Sequence, residues 1–285
     1  MKSTVIKFLK YVTLLKLAGL FLWWRINDHG HLSKKEVDVF VMTCKRDFVM
    51  SLATVFTFKR YFSHTKYGLF LNHDGTLGVI EKIILRFLVP DVLVIEGASP
   101  RQLNRLPTLK QFYSTWQGKK IINPLLFSTS NKVLMLDSDV LFVNESKEII
   151  KFTTSSTKAI YAEDFKTFYS VNLPLLKRRL QQNIVPKLNA SIIGFDKSEL
   201  SLKSAERELK RLYRALKSTS ANYFFIDQTF LAMVFGELKP VLKLPLQRYI
   251  SVANPTPPMD EEAVSYHFPD TTKEKIYSFI LRNVW

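Results

Sequence analysis

The order of apolar and polar segments predicts an alternation of strands and helices in the first half of the chain. Apolar, β-branched runs predict strands at 37–44, 68–75, 91–99 and 133–143, and helical spacing predicts helices at 47–61 and 77–88. Continuously apolar strands separated by helices are typical of a mostly parallel sheet that is covered on both faces. The predicted fold class is α/β, with ligands expected beyond the carboxyl ends of the strands.

The second half of the chain is less regular. Residues 107–130 are helical or irregular. Strands are predicted at 158–164, 187–196 and 263–268, and helices at 201–217, 226–238 and 271–283. A polar bridge at 27–35 and a Pro-rich loop at 254–260 interrupt the pattern. Because the sequence shows no internal repeat and no Gly/Ser linker, we expect one globular domain, 36–285, preceded by an arm, 1–35.

The arm contains the apolar stretch KFLKYVTLLKLAGLFLWWR at residues 7–25. Three lysines interrupt the longer run, and the stretch 11–24 would extend only about 21 Å as a helix, against a hydrocarbon core of roughly 30 Å. Helical spacing places Phe8, Tyr11, Val12, Leu15 and Leu22 on one side, and Lys7, Lys10, Thr13 and Lys16 on the other. We expect peripheral membrane contact through residues 1–25; the alternative is an ordinary amphipathic helix packed on the domain.

Charge and composition narrow the classes of function. The 285 residues carry a formal net charge of +16, which favours an anionic partner such as a phosphorylated small molecule or an anionic membrane. Neither a helix-turn-helix, a zinc-finger nor an RNP-type signature accompanies the basic residues, so we expect no nucleic-acid partner. The single cysteine, Cys44, excludes an internal disulfide. The expected location is cytoplasmic, with the inner face of a membrane as the place of any peripheral contact.

The run VLMLDSDVLFV, 133–143, places two carboxylates inside the most apolar segment of the chain. A buried carboxylate is costly unless it is paired, neutralised or bound to a metal. In a strand, Asp137 and Asp139 point to the same face, where a hard divalent cation would relieve their repulsion and leave positions for phosphate oxygens. The alternative is a strand end at which both carboxylates face water or a lysine such as Lys132.

Five segments in this order resemble the GT-A glycosyltransferases, most closely the family 8 group of glycogenin-like and galactinol-synthase-like enzymes. They are FVMTCKRDF in the first strand, QGKKIINPLLFSTSNKVLMLDSDVLFV, KLNASIIGFD, FIDQTFLAMVF and AVSYHF. The resemblance covers about residues 37–285 and implies a single Rossmann-like GT-A domain. It also implies Mn²⁺ or Mg²⁺ held by Asp137, Asp139 and His267.

The resemblance further implies roles for residues around that metal. Donor-binding positions are Thr43, Cys44, Lys45, Lys119, Lys120, Ser138, Asn189 and Lys273, and catalytic positions are Asp227, Gln228 and Glu163. The implied reaction moves a sugar from a nucleotide-diphosphate sugar, expected to be a UDP-sugar, to a hydroxyl of a glycan or lipid-linked acceptor, with retention of configuration. An inverting enzyme would instead need a general base, for which Asp227 or Glu163 could serve.

Two departures mark the chain as a divergent relative. The family's N-x-G pattern is Asn189-Ala190-Ser191 here. The family's Gly-x-Lys-Pro-Trp sequence does not follow the late histidine; Lys273 and Lys275 follow instead, which leaves the identity of the diphosphate-binding lysine open. Two alternatives therefore stay open. One is a nucleotidyltransferase acting on a sugar phosphate, and the other is a non-catalytic, membrane-associated protein that binds a nucleotide sugar.

Overall fold

The computed structural model describes residues 2–27, 36–96, 100–254 and 262–284. Most of the predicted polar bridge and Pro-rich loop, and the end of the strand predicted at 91–99, lie outside these residues. Seven strands form the main sheet: β1 (Val37–Thr43), β2 (Tyr67–His73), β3 (Val92–Ile95), β4 (Lys132–Leu136), β6 (Ala159–Glu163), β7 (Leu188–Asp196) and β8 (Val241–Leu244). Three strands form a small second sheet: β5 (Val140–Phe142), β9 (Tyr249–Ser251) and β10 (Ser265–His267).

Helices cover both faces of the main sheet. On one side are α1 (Lys2–Asn27), α2 (Phe48–Tyr61), α3 (Val79–Leu88), α7 (Lys147–Thr154) and α11 (Lys273–Asn283). On the other side are α4 (Pro100–Leu103), α5 (Pro107–Tyr113), α6 (Trp116–Phe127), α8 (Leu173–Leu180), α9 (Leu202–Leu216) and α10 (Ile226–Phe235). Two separate apolar clusters, one on each face, make up the core of the described chain.

The main sheet has the strand order β3-β2-β1-β4-β7-β6-β8. All neighbouring pairs are parallel except those of β7, which runs antiparallel to both β4 and β6. Strands β1 and β4 are fully buried along their length, which explains why their sequences are apolar without alternation. The mostly parallel α/β prediction is confirmed.

The structure corrects the strand prediction for residues 133–143. We expected one strand, but the chain forms β4 in the main sheet and β5 in the small sheet, with Asp137, Ser138 and Asp139 between them. The apolar residues on both sides are buried because each half enters a different sheet. The segment 107–130 contains the two helices α5 and α6. Helices α4, α7 and α8 and strands β8 and β9 have no counterpart among the predicted elements.

Helix α1 is longer than its apolar segment and packs against α2, α3 and α11. Leu17 and Phe21 are buried in the core beside α2. The Nζ atom of Lys16 donates to the carbonyl oxygens of Ile280 and Leu281, at 3.1 and 2.9 Å, at the end of α11. None of the helices within the described residues is both long enough and apolar enough to cross a bilayer.

Helix α6 is held close to α5 by a glycine. A Cβ atom at Gly118 would lie 1.9 Å from the carbonyl oxygen of Phe112, a backbone atom that cannot move aside cheaply. The backbone N–H of Gly118 donates to the Oγ1 atom of Thr115, the N-cap of α6, at 3.0 Å. This close approach fixes the helix that carries Lys120.

We expect Gly118→Ala to lower the free energy of unfolding by about 2–4 kcal/mol, because the added methyl group overlaps the backbone of α5. Urea denaturation followed by circular dichroism measures this difference. Gly19→Ala in α1 is the matched control, since a Cβ atom at Gly19 meets no atom within 4 Å and should change stability by no more than about 1 kcal/mol. Equal stability of the two variants would contradict the packing described for α6.

Candidate active site

The aspartate pair lies at the carboxyl edge of the parallel strands. Strand β4 ends at Leu136, and the backbone N–H of Asp137 continues the pairing with β7 by donating to the carbonyl oxygen of Ser191 at 2.9 Å. The carbonyl oxygen of Ser138 accepts from the Oγ1 atom of Thr54 in α2 at 2.9 Å. These two hydrogen bonds fix the backbone between β4 and β5, so the carboxylates of Asp137 and Asp139 have defined positions.

Antiparallel pairing brings His267 to the aspartates from the C-terminal part of the chain. His267 pairs with Val140 in the register of β10 and β5, and the N–H of Phe268 donates to the carbonyl oxygen of Asp139 at 3.0 Å. The Nε2 atom of His267 lies 3.5 Å from the Oδ1 atom of Asp139. The late histidine thus reaches the aspartate pair although 128 positions separate it from Asp139 in sequence.

Two lysines balance the charge of the carboxylates. The buried Nζ atom of Lys120 lies 2.6 Å from Asp137 and 3.8 Å from Asp227. The Nζ atom of Lys273, in the first turn of α11, lies 3.2 Å from Asp139 and 2.7 Å from Asp47. The site therefore alternates acidic and basic groups, which lets buried charges persist in a desolvated setting.

The electrostatics of the site follow from burial and these pairs. Burial opposes the charge of Lys120, but the carboxylates of Asp137 and Asp227 outweigh it and raise the pKa of Lys120. Burial likewise opposes the charge of Lys273, and Asp139 and Asp47 raise its pKa. Burial raises the pKa of Asp227, and the neighbouring Lys120 only partly offsets this effect.

The arrangement of Asp137, Asp139 and His267 fits a divalent cation. One ligand atom from each residue lies within 4.8 Å of the other two. The Oδ1 atom of Asp139 and the Nδ1 atom of His267 are buried and make no hydrogen bond among the described residues. Two carboxylates and one imidazole are ligands that Mn²⁺ accepts, and the carboxylates also suit Mg²⁺.

A cavity of about 690 Å³ opens above this cluster. Its volume is typical of sites for small molecules and cofactors. Its lining includes eleven of the residues that the sequence predicted, namely Thr43, Cys44, Lys120, Asp137, Ser138, Asp139, Asn189, Asp227, Gln228, His267 and Lys273. The structure therefore brings together, around one cavity, most of the residues to which the resemblance assigned roles.

Three predicted residues lie outside that lining. Lys45 is exposed, with its N–H bonded to Thr76, and the Nζ atom of Lys119 donates to the carbonyl oxygen of Asp74. Glu163 pairs with Lys243 at 3.1 Å and borders a small recess beside the cavity, which shares Asn189 and His267 with it. Successive side chains of a strand point to opposite faces, which explains why Glu163 does not face the cavity.

The neighbour of Glu163, Asp164, faces the cavity instead. Its Oδ2 atom accepts from the Nδ2 atom of Asn189 at 2.8 Å, which also orients that amide. Burial raises the pKa of Asp164 to about 6, so this carboxyl group changes charge near neutral pH. Of the two acidic residues that end β6, Asp164 is the one placed to contact a ligand.

Gln228 is held by two backbone groups. Its Nε2 atom donates to the carbonyl oxygen of Phe168 at 2.9 Å, and its Oε1 atom accepts from the N–H of Ala190 at 3.3 Å. Both bonds join α10 to the strand and loop that border the cavity. The side chain is therefore fixed at the wall rather than free to rotate.

Sequence reasoning missed two features of the cavity. Asp47 lies inside the segment FVMTCKRDF, but no feature of the sequence marked it as a site residue. Burial acts to raise the pKa of its carboxyl group, but the bonds to Arg46 and Lys273 outweigh burial, so the pKa is lowered. The second feature is an aromatic wall, which we define as Trp116, Phe165, Phe168, Phe224 and Phe225. Ring contacts at 5.2–6.1 Å connect neighbouring members of this wall, and no spacing in the sequence indicates it.

Comparison with solved structures identifies the same fold in glycosyltransferases. The WbbM bifunctional glycosyltransferase, in its apo form, matches with a TM-score of 0.60 over 90% of this chain, at 17% sequence identity. The chain spans about half of that enzyme, 51% of its length. The galactosyltransferase LgtC, in complex with donor and acceptor sugar analogues, matches with a TM-score of 0.52, at 12% identity, over 87% of this chain and 96% of LgtC.

A third neighbour is mouse xyloside xylosyltransferase 1 in its apo form, with a TM-score of 0.53 and 12% identity over 82% of this chain and 99% of the enzyme. No protein-family model and no curated protein matches the sequence. At identities this low, the likeness establishes the fold and leaves the chemistry to the residues of this chain. The chain has the mixed α/β fold of the GT-A glycosyltransferases.

Proposed function

We propose that this protein is a metal-dependent glycosyltransferase that moves a sugar from a nucleotide-diphosphate sugar, expected to be a UDP-sugar, to an acceptor hydroxyl. The observation that carries the proposal is the convergence of Asp137, Asp139 and His267 with Lys273 at the floor of the cavity. Three metal ligands beside a fixed cation form a site for a diphosphate group. The glycosyltransferase neighbours support the same class of reaction.

The donor would lie across the carboxyl edge of the sheet. Thr43 and Cys44, at the end of β1, would border the base and ribose, and the metal ligands after β4 would hold the diphosphate. A divalent cation bound there would neutralise the diphosphate and favour its departure. Lys273 would add a second positive charge, already fixed by Asp47 at 2.7 Å, on the departing group.

The sugar and the acceptor would meet beside β7 and α10. Asn189, Asp227 and Gln228 line this part of the cavity, and Lys120 holds Asp137 and Asp227 in place from below. We propose retention of configuration, on family resemblance. One solved LgtC structure is an active-site mutant with glutamine changed to glutamate, which makes Gln228 a residue of interest for the same chemistry here.

The aromatic wall favours a glycan portion in the acceptor. Trp116 and Phe224 are 40% and 50% exposed, yet both line the cavity, so they present rings to whatever enters it. A sugar ring has an apolar face of C–H groups that packs on aromatic rings, while Asp164 and Asn189 nearby offer hydrogen bonds to hydroxyl groups. A free glycan and a lipid-linked glycan both meet these requirements.

We further propose that residues 1–35 act as a membrane-contacting arm of the domain 36–285, at the cytoplasmic face of a membrane. The side of α1 that contains Phe8, Tyr11, Leu15 and Leu22 is exposed, whereas Lys10, Thr13 and Lys16 face the domain. The inner side already packs Leu17 and Phe21 in the core, and a helix that only packed on the domain would leave its other side polar. Here the outward side is apolar, which suits the interfacial layer of a bilayer.

We expect turnover of a panel of nucleotide sugars, followed as release of nucleoside diphosphate, to require Mn²⁺ or Mg²⁺. Asp139→Asn should lower the rate on the order of 100-fold or more, because it removes a metal ligand and the partner of Lys273. Glu163→Gln is the matched control, since it changes the same charge outside the cavity and should retain most of the activity.

Three outcomes separate this proposal from its alternatives. A nucleotidyltransferase would form a nucleotide sugar from a sugar phosphate and a nucleoside triphosphate. A non-catalytic binding protein would gain thermal stability from donor and Mn²⁺ without releasing nucleoside diphosphate. Metal-independent turnover that survives Asp139→Asn would contradict the proposed site.

We expect Phe224→Ala to raise the KM for the acceptor about tenfold while leaving donor hydrolysis in water unchanged, because the ring contributes to the aromatic wall only. Tyr223→Ala is the control. Tyr223 is 49% exposed, almost the same as Phe224, but does not line the cavity, so its removal should change neither value. Equal effects of the two substitutions on acceptor KM would exclude the aromatic wall as the acceptor site.

A further inference from the structure

Exposed large apolar side chains are concentrated on one side of the described chain, away from the cavity. Helix α3 contributes Val79, Ile80 and Ile83, which are 73%, 71% and 60% exposed. Its buried residues, Leu85 and Leu88, lie on the side facing the core. A surface helix normally turns polar residues outward, so α3 departs from the usual pattern in the same way as α1.

The two helices form a continuous surface. Helix α1 packs against α3, and the amino group of Lys10 in α1 lies near enough to Glu81 in α3 for the carboxylate to act on its pKa. We define the docking face as the exposed apolar residues of α1 and α3. Singly exposed apolar residues are ordinary, but a patch built from two neighbouring helices marks a contact surface.

The charges around the docking face indicate what covers it. Helix α1 has no acidic residue, and Lys7 is exposed on it, whereas its other described lysines donate to backbone carbonyl groups of the domain. In α3, Glu81 is engaged with the N–H of Gly78 at 3.0 Å, and Arg86 is exposed. Apolar side chains flanked by cations match a bilayer with anionic headgroups. A second copy of the chain is disfavoured, because it would bring two such cationic helices together in a protein of net charge +16.

We infer that α3 joins α1 in one docking face for the interfacial layer of an anionic bilayer. Residues Val79, Ile80 and Ile83 enter the acyl boundary, and the exposed cations Lys7 and Arg86 lie at the headgroups. The inference extends the membrane contact proposed for residues 1–25 to a part of the domain itself. It does not depend on the sugar-transfer reaction.

Co-sedimentation of the full chain with vesicles tests this inference. We expect wild type to bind vesicles of phosphatidylcholine containing about one third phosphatidylglycerol more tightly than pure phosphatidylcholine, and added salt to weaken binding. The double variant Ile80→Gln/Ile83→Gln keeps the net charge and removes apolar surface. It should bind the anionic vesicles at least about tenfold more weakly.

The matched control is Arg207→Gln/Arg214→Gln on α9, which packs on the opposite face of the main sheet. It also changes two exposed residues and lowers the net charge by two, yet it should weaken vesicle binding by less than about threefold. Nucleoside diphosphate release without vesicles should be the same in wild type and the α3 variant, so loss of vesicle binding is distinguishable from loss of the proposed reaction.

Two results would overturn the inference. One is wild-type vesicle binding by Ile80→Gln/Ile83→Gln, or no vesicle binding by wild type itself. The other is a stable dimer in analytical ultracentrifugation that the α3 substitutions dissociate, because a second copy would then be the occupant of the docking face.

Discussion

The compensation of two adjacent negative charges, of which Asp139 is buried and Asp137 half-buried, is the constraint on which the site depends. An unpaired buried carboxylate costs several kcal/mol, and the two residues are separated by only one position. Their partners are Lys120 from α6, His267 from β10 and Lys273 from α11. Each comes from a different part of the chain, so the cluster forms only when both sheets and the last helix are in place.

The break between β4 and β5 makes this convergence possible. A continuous strand through 133–143 would carry the aspartates along the sheet, whereas the break turns them out at its carboxyl edge. The chain then enters the small sheet, where pairing of β5 with β10 brings His267 alongside. The same C-terminal segment continues into α11, whose first residue is Lys273. One local irregularity therefore links the fold, the charge balance and the proposed reaction.

Much of the fold could be predicted from the sequence because the signals are local. The apolar strands β1 and β2, the helix at α10 and the parallel arrangement follow from hydrophobic periodicity. The break at Asp137 could not be predicted, since the residues on both sides are equally apolar and only tertiary structure assigns them to different sheets. The sequence also did not determine which side of α1 faces the domain. Apolar residues occur on both of its sides, and the inner side combines buried Leu17 and Phe21 with lysines whose Nζ atoms donate to backbone carbonyl groups.

The parts of the candidate site that lie within a local motif could be predicted, whereas contacts between residues far apart in sequence could not. The apolar residues on both sides of Asp137 and Asp139 indicated a metal site, and the family resemblance added His267 as a third ligand. The contact of Lys273 with Asp47 joins residues 226 positions apart, and no sequence signal connects them. The aromatic wall gathers rings from three separate segments without any common spacing. At the end of β6, the sequence analysis named Glu163, and the structure places the next residue, Asp164, at the cavity.

The most direct measurement is anomalous diffraction from crystals of the protein soaked with Mn²⁺ and UDP. We expect one strong peak about 2.0–2.3 Å from an oxygen of Asp137, an oxygen of Asp139 and a nitrogen of His267, with the diphosphate between the ion and Lys273. A peak elsewhere, or UDP bound with Lys273 still on Asp139 and no ion in the cluster, would contradict the account.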